Sequence, residues 1–180
     1  MLPKIKNEIY YEFVVISFIP AVLILITKVI SMFLLSYLFN IDYNVSSNGI
    51  LYQNIDDFIY LNNISNLISF IVVFSVSFWY LIKAYFLHES HISPKFSIWL
   101  AVQDLSHLVS DSMGIYLRLL AYGFFVWVYV FIIGLWAIIG LGSFYVFYIC
   151  AGLAIIYTVL ATLDLERDYL IHLNVKRQLF

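Results

Sequence analysis

The chain has 180 residues, 64% of them hydrophobic and only 11% charged, with a mean hydropathy of +0.97 and a net charge of −2. Soluble domains run at about 45–50% apolar and about 25% charged, so composition excludes an ordinary soluble core, and the charge balance gives no footprint for nucleic acid. The single cysteine, Cys150, can form no internal disulfide and makes no metal site alone. These properties describe an all-α, multi-pass protein of the lipid bilayer in a single integral membrane domain spanning residues 1 to 180, with no cofactor or metal indicated.

Residues 1 to 12 form a short polar lead carrying Lys4, Lys6, Glu8 and Glu12. The first 13 residues show no Arg- and Ser-rich leader and no small-residue cleavage site. Phe (16) and Tyr (15) abound while Gly (7) and Pro (3) are scarce, a bias toward AT-rich codons. An organelle-encoded or prokaryotic product, inserted as it is made, is the expectation.

Residues 13 to 39 are an apolar run of 27, long enough to cross a bilayer, with Pro20 near the start and Lys28 near the middle. An unpaired lysine there costs a few kcal/mol, so Lys28 is expected to snorkel or to pair with a neighbouring subunit. Residues 40 to 63, with Asp42, Asp56 and Asp57 and no Lys or Arg, read as a loop with a short helix near Asp56. Residues 64 to 87 form a second span whose Ser65, Asn66, Ser69, Ser75 and Ser77 suit close helix packing. Residues 88 to 95 are a polar turn stopped by Pro94; His88 and His91 flank Glu89, too few imidazoles for a metal site.

Residues 96 to 136 hold the chain's most unusual pattern. On one continuous helix at about 100° per residue, Asp104, His107, Asp111 and Arg118 lie within roughly 60° of one another, and Tyr122, Tyr129 and Trp136 extend the line. At about 1.5 Å per residue the stripe from Asp104 to Arg118 covers roughly 21 Å. The segment forms either one long tilted helix, or a short amphipathic helix (96 to 110) followed by a span (115 to 139) with Gly114 as the break. Gly140 to Ser143 is a turn, and residues 144 to 165 are the last span before a charged tail. If 96 to 110 stays on the surface, Lys4, Lys6, Lys95, Arg167, Lys176 and Arg177 share one side, which the positive-inside rule places toward cytoplasm or matrix.

An arginine keeps its charge in a membrane, so Arg118 needs carboxylates, water or a partner's acidic group. Asp104, His107 and Asp111 can exchange protons with water, and a fixed positive charge beyond them acts as an electrostatic gate. The alternative is a wet interfacial helix, with Arg118 anchoring a helix end at head-group level.

The segment VQDLSHLVSDSMGIYLRLLAYG resembles the penultimate helix of subunit a of the rotary F-type ATP synthase, in which an acidic residue precedes the essential arginine by 14 positions, as Asp104 precedes Arg118. The family's Arg-Leu-x-Ala-Asn is matched by Arg118, Leu119, Leu120, Ala121 and Tyr122, and YTVLATLDLERD resembles the end of its last helix. Tyr122 replaces the usual Asn, Val126 and Trp127 the Gly-His pair, and Leu153 the glutamine. The resemblance covers roughly the last 85 residues.

It implies four to five membrane helices, with a long tilted penultimate helix and a C-terminal helix forming a hairpin. It implies a non-catalytic subunit of a multi-subunit enzyme complex, an obligate hetero-oligomer with a c-subunit ring and other ATP synthase membrane subunits. The mitochondrial inner membrane, or a prokaryotic plasma membrane, is its implied location. Arg118 would face the ring and separate two proton half-channels, Asp104, His107 and Asp111 would line one path, and Asp164 with Glu166 would flank the other mouth. The rival expectation is a structural or quinone- or haem-anchoring subunit of a respiratory chain complex, since residues 107 to 111 resemble the anchors of succinate dehydrogenase.

Overall fold

The computed structural model describes residues 2–46, 49–87, 92–105 and 112–179. Five helices and one two-stranded hairpin follow in the order α1 (Leu2–Leu38), β1 (Tyr43–Ser46), β2 (Gly49–Tyr52), α2 (Ile55–Phe86), α3 (Pro94–Val102), α4 (Ser112–Ile138) and α5 (Phe144–Leu179). Among the described residues, four stretches are long and apolar enough to cross a membrane: Val14–Leu38, Ile55–Phe86, Gly114–Ile138 and Phe144–Arg167. The all-α, multi-pass membrane architecture expected from hydropathy is therefore what the chain adopts, with α4 and α5 as its terminal hairpin.

Helices α2 and α4 form the inner pair, each packing against both of the others, while α1 and α5 flank them. Phe70 and Val73 of α2, Tyr122, Val126, Tyr129 and Ile133 of α4, and Cys150 and Ala154 of α5 make the main core. The flanking helices turn large apolar side chains outward, among them Phe18, Leu25 and Ile30 of α1 and Tyr148, Ile155 and Val159 of α5. In lipid such outward apolar faces carry no penalty. Pro20 lies inside α1 and is buried, a placement that membrane helices tolerate.

Three of the helices stop in the same way. After α1, Ile41 N–H reaches back to the Ser36 carbonyl (2.9 Å) with Asn40 at φ 53°; after α3, Leu105 N–H reaches Leu100 (2.8 Å) with Asp104 at φ 57°; after α4, Leu141 N–H reaches Trp136 (2.9 Å) with Gly140 at φ 79°. Each is a Schellman-type end with a left-handed residue just beyond the last turn, a conformation that Gly adopts freely and Asn and Asp tolerate.

Several boundaries differ from the sequence reading: α1 begins at Leu2, within the expected polar lead. Helix α2 begins at Ile55, nine residues before the expected 64, because Asn54 caps it: the Asn54 side-chain oxygen accepts the Asp56 N–H at 3.1 Å, and Asp56 and Asp57 sit in the first turn, where the helix dipole favours them. What remains of the 40-to-63 loop is the hairpin, with Tyr43 opposite Tyr52, tied to α1 by the Ser36 and Tyr52 hydroxyls 3.1 Å apart. Of the two readings of 96 to 136, the chain takes the broken one, but α3 already stops at Val102, turning at Asp104, and Gly114 is inside α4. Helix α3 is nine residues long, shorter than the expected 96 to 110, with Ser93 as its cap and Pro94 at its first position.

The hairpin and the α4–α5 turn lie at one end of the bundle; the start of α1, the end of α5 and α3, which joins the end of α2 to the start of α4, lie at the other. Apart from Lys28, every lysine and arginine belongs to the second end.

Candidate functional site

Asp104 is the left-handed residue that ends α3, and it is exposed. It therefore does not share a helix with Arg118, and the stripe expected on one continuous helix is broken at this residue. His107 and Asp111 lie outside the described residues, as do His88 and His91. Arg118 sits in the second turn of α4, exposed on the bundle's flank, with its guanidinium carbon 5.8 Å from the centre of the Tyr80 ring. The Tyr80 ring in turn lies 5.1 Å from that of Tyr122, which is buried. A guanidinium over an aromatic face at this range gains about 0.5–1 kcal/mol at an exposed site.

Asp164 is fully buried near the end of the α5 span, whereas Glu166 is exposed. Both belong to the same end of the bundle as Asp104 and Arg118, because α4 starts and α5 finishes there. Antiparallel spans return the chain to the side it left.

The most elaborate polar arrangement lies elsewhere. The Lys28 ammonium donates to the Asn62 side-chain oxygen (2.6 Å), the Ser65 hydroxyl (2.7 Å) and the Asn66 side-chain oxygen (2.6 Å), with the Asn62 carbonyl at 3.2 Å. Asn62, Ser65 and Asn66 are each at most 2% exposed. The acceptors are held in place by second contacts. Asn62 donates its amide N–H to the Leu141 carbonyl (2.8 Å) in the α4–α5 turn, which fixes its oxygen toward the lysine. Ser65 gives its own hydrogen to the Asn62 carbonyl (3.1 Å), so its oxygen is free to accept. Asn66 accepts a second bond from the Tyr129 hydroxyl (3.2 Å). Beside this group the Asn63 side chain accepts the Ser143 N–H at 2.7 Å.

Lys28 is thus satisfied within its own chain rather than by a neighbouring subunit. The sequence held a signal for this: Asn62, Ser65, Asn66 and Ser69 follow the i, i+3, i+4, i+7 spacing of one helix face. Assigning 62 and 63 to a loop hid it. Tyr129, placed on a line with Arg118 by spacing, instead serves the lysine.

Fold and site together define a multi-pass helical membrane protein with an internally coordinated lysine, Lys28, and two outward arginines, Arg118 over Tyr80 and Arg167 over Tyr85 at 5.4 Å. No protein-family model matches the chain, and neither the curated proteins nor the solved structures contain a match.

Proposed function

We propose that the chain is the proton-translocating membrane subunit of an F-type ATP synthase, the part played there by subunit a, residing in the mitochondrial inner membrane or a prokaryotic plasma membrane. The observation that carries this reading is the placement of Arg118: exposed on the flank of a membrane helix, one to two turns inside the span and backed by Tyr80, where a partner's carboxylate can reach it. An arginine there keeps its charge and opposes the passage of a proton. A ring carboxylate arriving beside it is held ionised, and one leaving it takes up a proton. The driving force is the field energy of the proton, about 2.3 kcal/mol per 100 mV. Asp104 and Glu166, exposed at the same end, supply an access path from that side, and Asp164 borders it. The positive-inside rule sets this end toward the matrix or cytoplasm.

A structural subunit of a respiratory chain complex is the second reading. Gentle purification from the native membrane with mass spectrometry of co-migrating subunits separates the two. A proteolipid ring subunit and the catalytic α and β subunits support the first. Oxidase, dehydrogenase or cytochrome subunits overturn it. Within the first reading, Arg118→Ala assembles normally and abolishes ATP-driven proton pumping in membrane vesicles; loss of assembly with that change speaks for the structural role.

A further inference from the structure

We propose that the oxygens of Asn62, Ser65 and Asn66 form a monovalent-cation site whose resident occupant is the tethered ammonium of Lys28. This holds whether or not the chain works as proposed above. The ammonium has three hydrogens, and three side-chain oxygens stand at 2.6–2.7 Å to receive them. None of the three oxygens carries a free hydrogen to return: the Asn62 amide N–H is committed to Leu141 and the Ser65 hydrogen to the Asn62 carbonyl, while Asn66, whose amide nitrogen is buried without a partner, is held with its oxygen toward the lysine by the Tyr129 hydroxyl. The neutral amine, with two hydrogens and a lone pair, would turn that lone pair toward an oxygen. The surroundings are therefore complementary to a small cation.

All the oxygens are uncharged, which sets the valence. Divalent ions draw on carboxylates, whereas rings of carbonyl and hydroxyl oxygens suit single charges by replacing a hydration shell. Every ligand comes from one stretch of α2, whose orientation is fixed by the bonds to Leu141 and Tyr129. The cage therefore keeps its shape when the lysine is shortened. Potassium and ammonium ions are the right size and charge to enter the space left behind.

The test uses the full chain in lipid nanodiscs, with thermal unfolding followed by tryptophan fluorescence in potassium, ammonium or N-methylglucamine chloride at equal ionic strength. For the unaltered chain the melting temperature is the same in all three salts. Lys28→Ala melts several degrees lower in N-methylglucamine and recovers much of the loss in potassium or ammonium. Lys28→Met, whose chain refills the space, does not respond to the salt. A Lys28→Ala protein that melts alike in all three salts overturns the proposal. Where Lys28→Ala does not fold, Asn66→Asp with Lys28 in place decides: a cation in the cage makes the added carboxylate raise the melting temperature, and a lowered one refutes a cationic occupant.

Discussion

Removing the lysine and removing one of its acceptors have unequal consequences. Hydrogen bonds between membrane helices average about 0.6 and reach about 1.7 kcal/mol, so the three short bonds to Lys28 hold about 2–5 kcal/mol. Against this stands the cost of a lysine within the bilayer, about 2.5–3.5 kcal/mol on insertion scales. Lys28→Met deletes both terms and leaves a net change between about −1.5 and +2.5 kcal/mol. Asn66→Leu deletes an acceptor, leaves the ammonium short of a partner and removes one acceptor of the Tyr129 hydroxyl. Loss of a hydrogen bond to a charged group, with the charge left behind, costs about 2–4 kcal/mol. Asn66→Leu is therefore the more damaging change, and adding Lys28→Met to it restores about 1–2 kcal/mol. Equilibrium unfolding in mixed micelles, titrated with a denaturing detergent and read by tryptophan fluorescence, measures all three variants. The reasoning fails if Asn66→Leu costs no more than Lys28→Met, or if the double variant is additive within about 0.5 kcal/mol.

Asp104→Asn keeps a residue that tolerates the left-handed end of α3 and removes the charge; if the chain works as proposed, ATP-driven proton pumping falls while the melting temperature holds, and unchanged pumping takes Asp104 out of the proposed access path. Gly123→Val sets a side chain against the Tyr157 ring, where an added Cβ already stands 3.0 Å from Cε1, and that ring is held by its hydroxyl bond to the Leu119 carbonyl. A loss of about 1–3 kcal/mol in the micelle assay is expected. Cysteines introduced at Asp42 and Lys95, in a chain with Cys150→Ala, label with impermeant maleimide from opposite faces of sealed vesicles; labelling from the same face refutes four crossings. In the unaltered chain Cys150, fully buried, resists maleimide until the protein is unfolded.

Hydropathy alone exposed the first and last spans and the turn at Gly140, because each rests on a local property: a long apolar run or paired glycines. The start of α2 was not legible in that way. Asn62 and Asn63 look like loop residues, and Asn66 like a mere packing residue of the span, until a lysine 34 to 38 positions earlier in the chain is known to lie against Asn62 and Asn66, and no local pattern reports that distance. The line from Asp104 to Arg118 failed for the opposite reason. Its periodicity was real, but periodicity presumes an unbroken helix, and the chain turns at an aspartate rather than at the glycine or proline that usually announces a stop. Arg118 itself, with its isolated charge in an apolar run, was legible; its companion Tyr80, on another helix, was not.

All four contacts of Lys28 come from α2, and none from the helices that follow. That matters for the order of events during synthesis. A ribosome delivers α1 before α2, and a helix with a lysine in its apolar run inserts poorly alone. Once α2 has emerged, the two can enter the bilayer as one hairpin, the charge already matched by a partner from the same pair. The α4–α5 unit then arrives at a preformed seat, where Leu141 and Ser143 find Asn62 and Asn63 waiting. The lysine that burdens the first helix thus sets which neighbour that helix must find first.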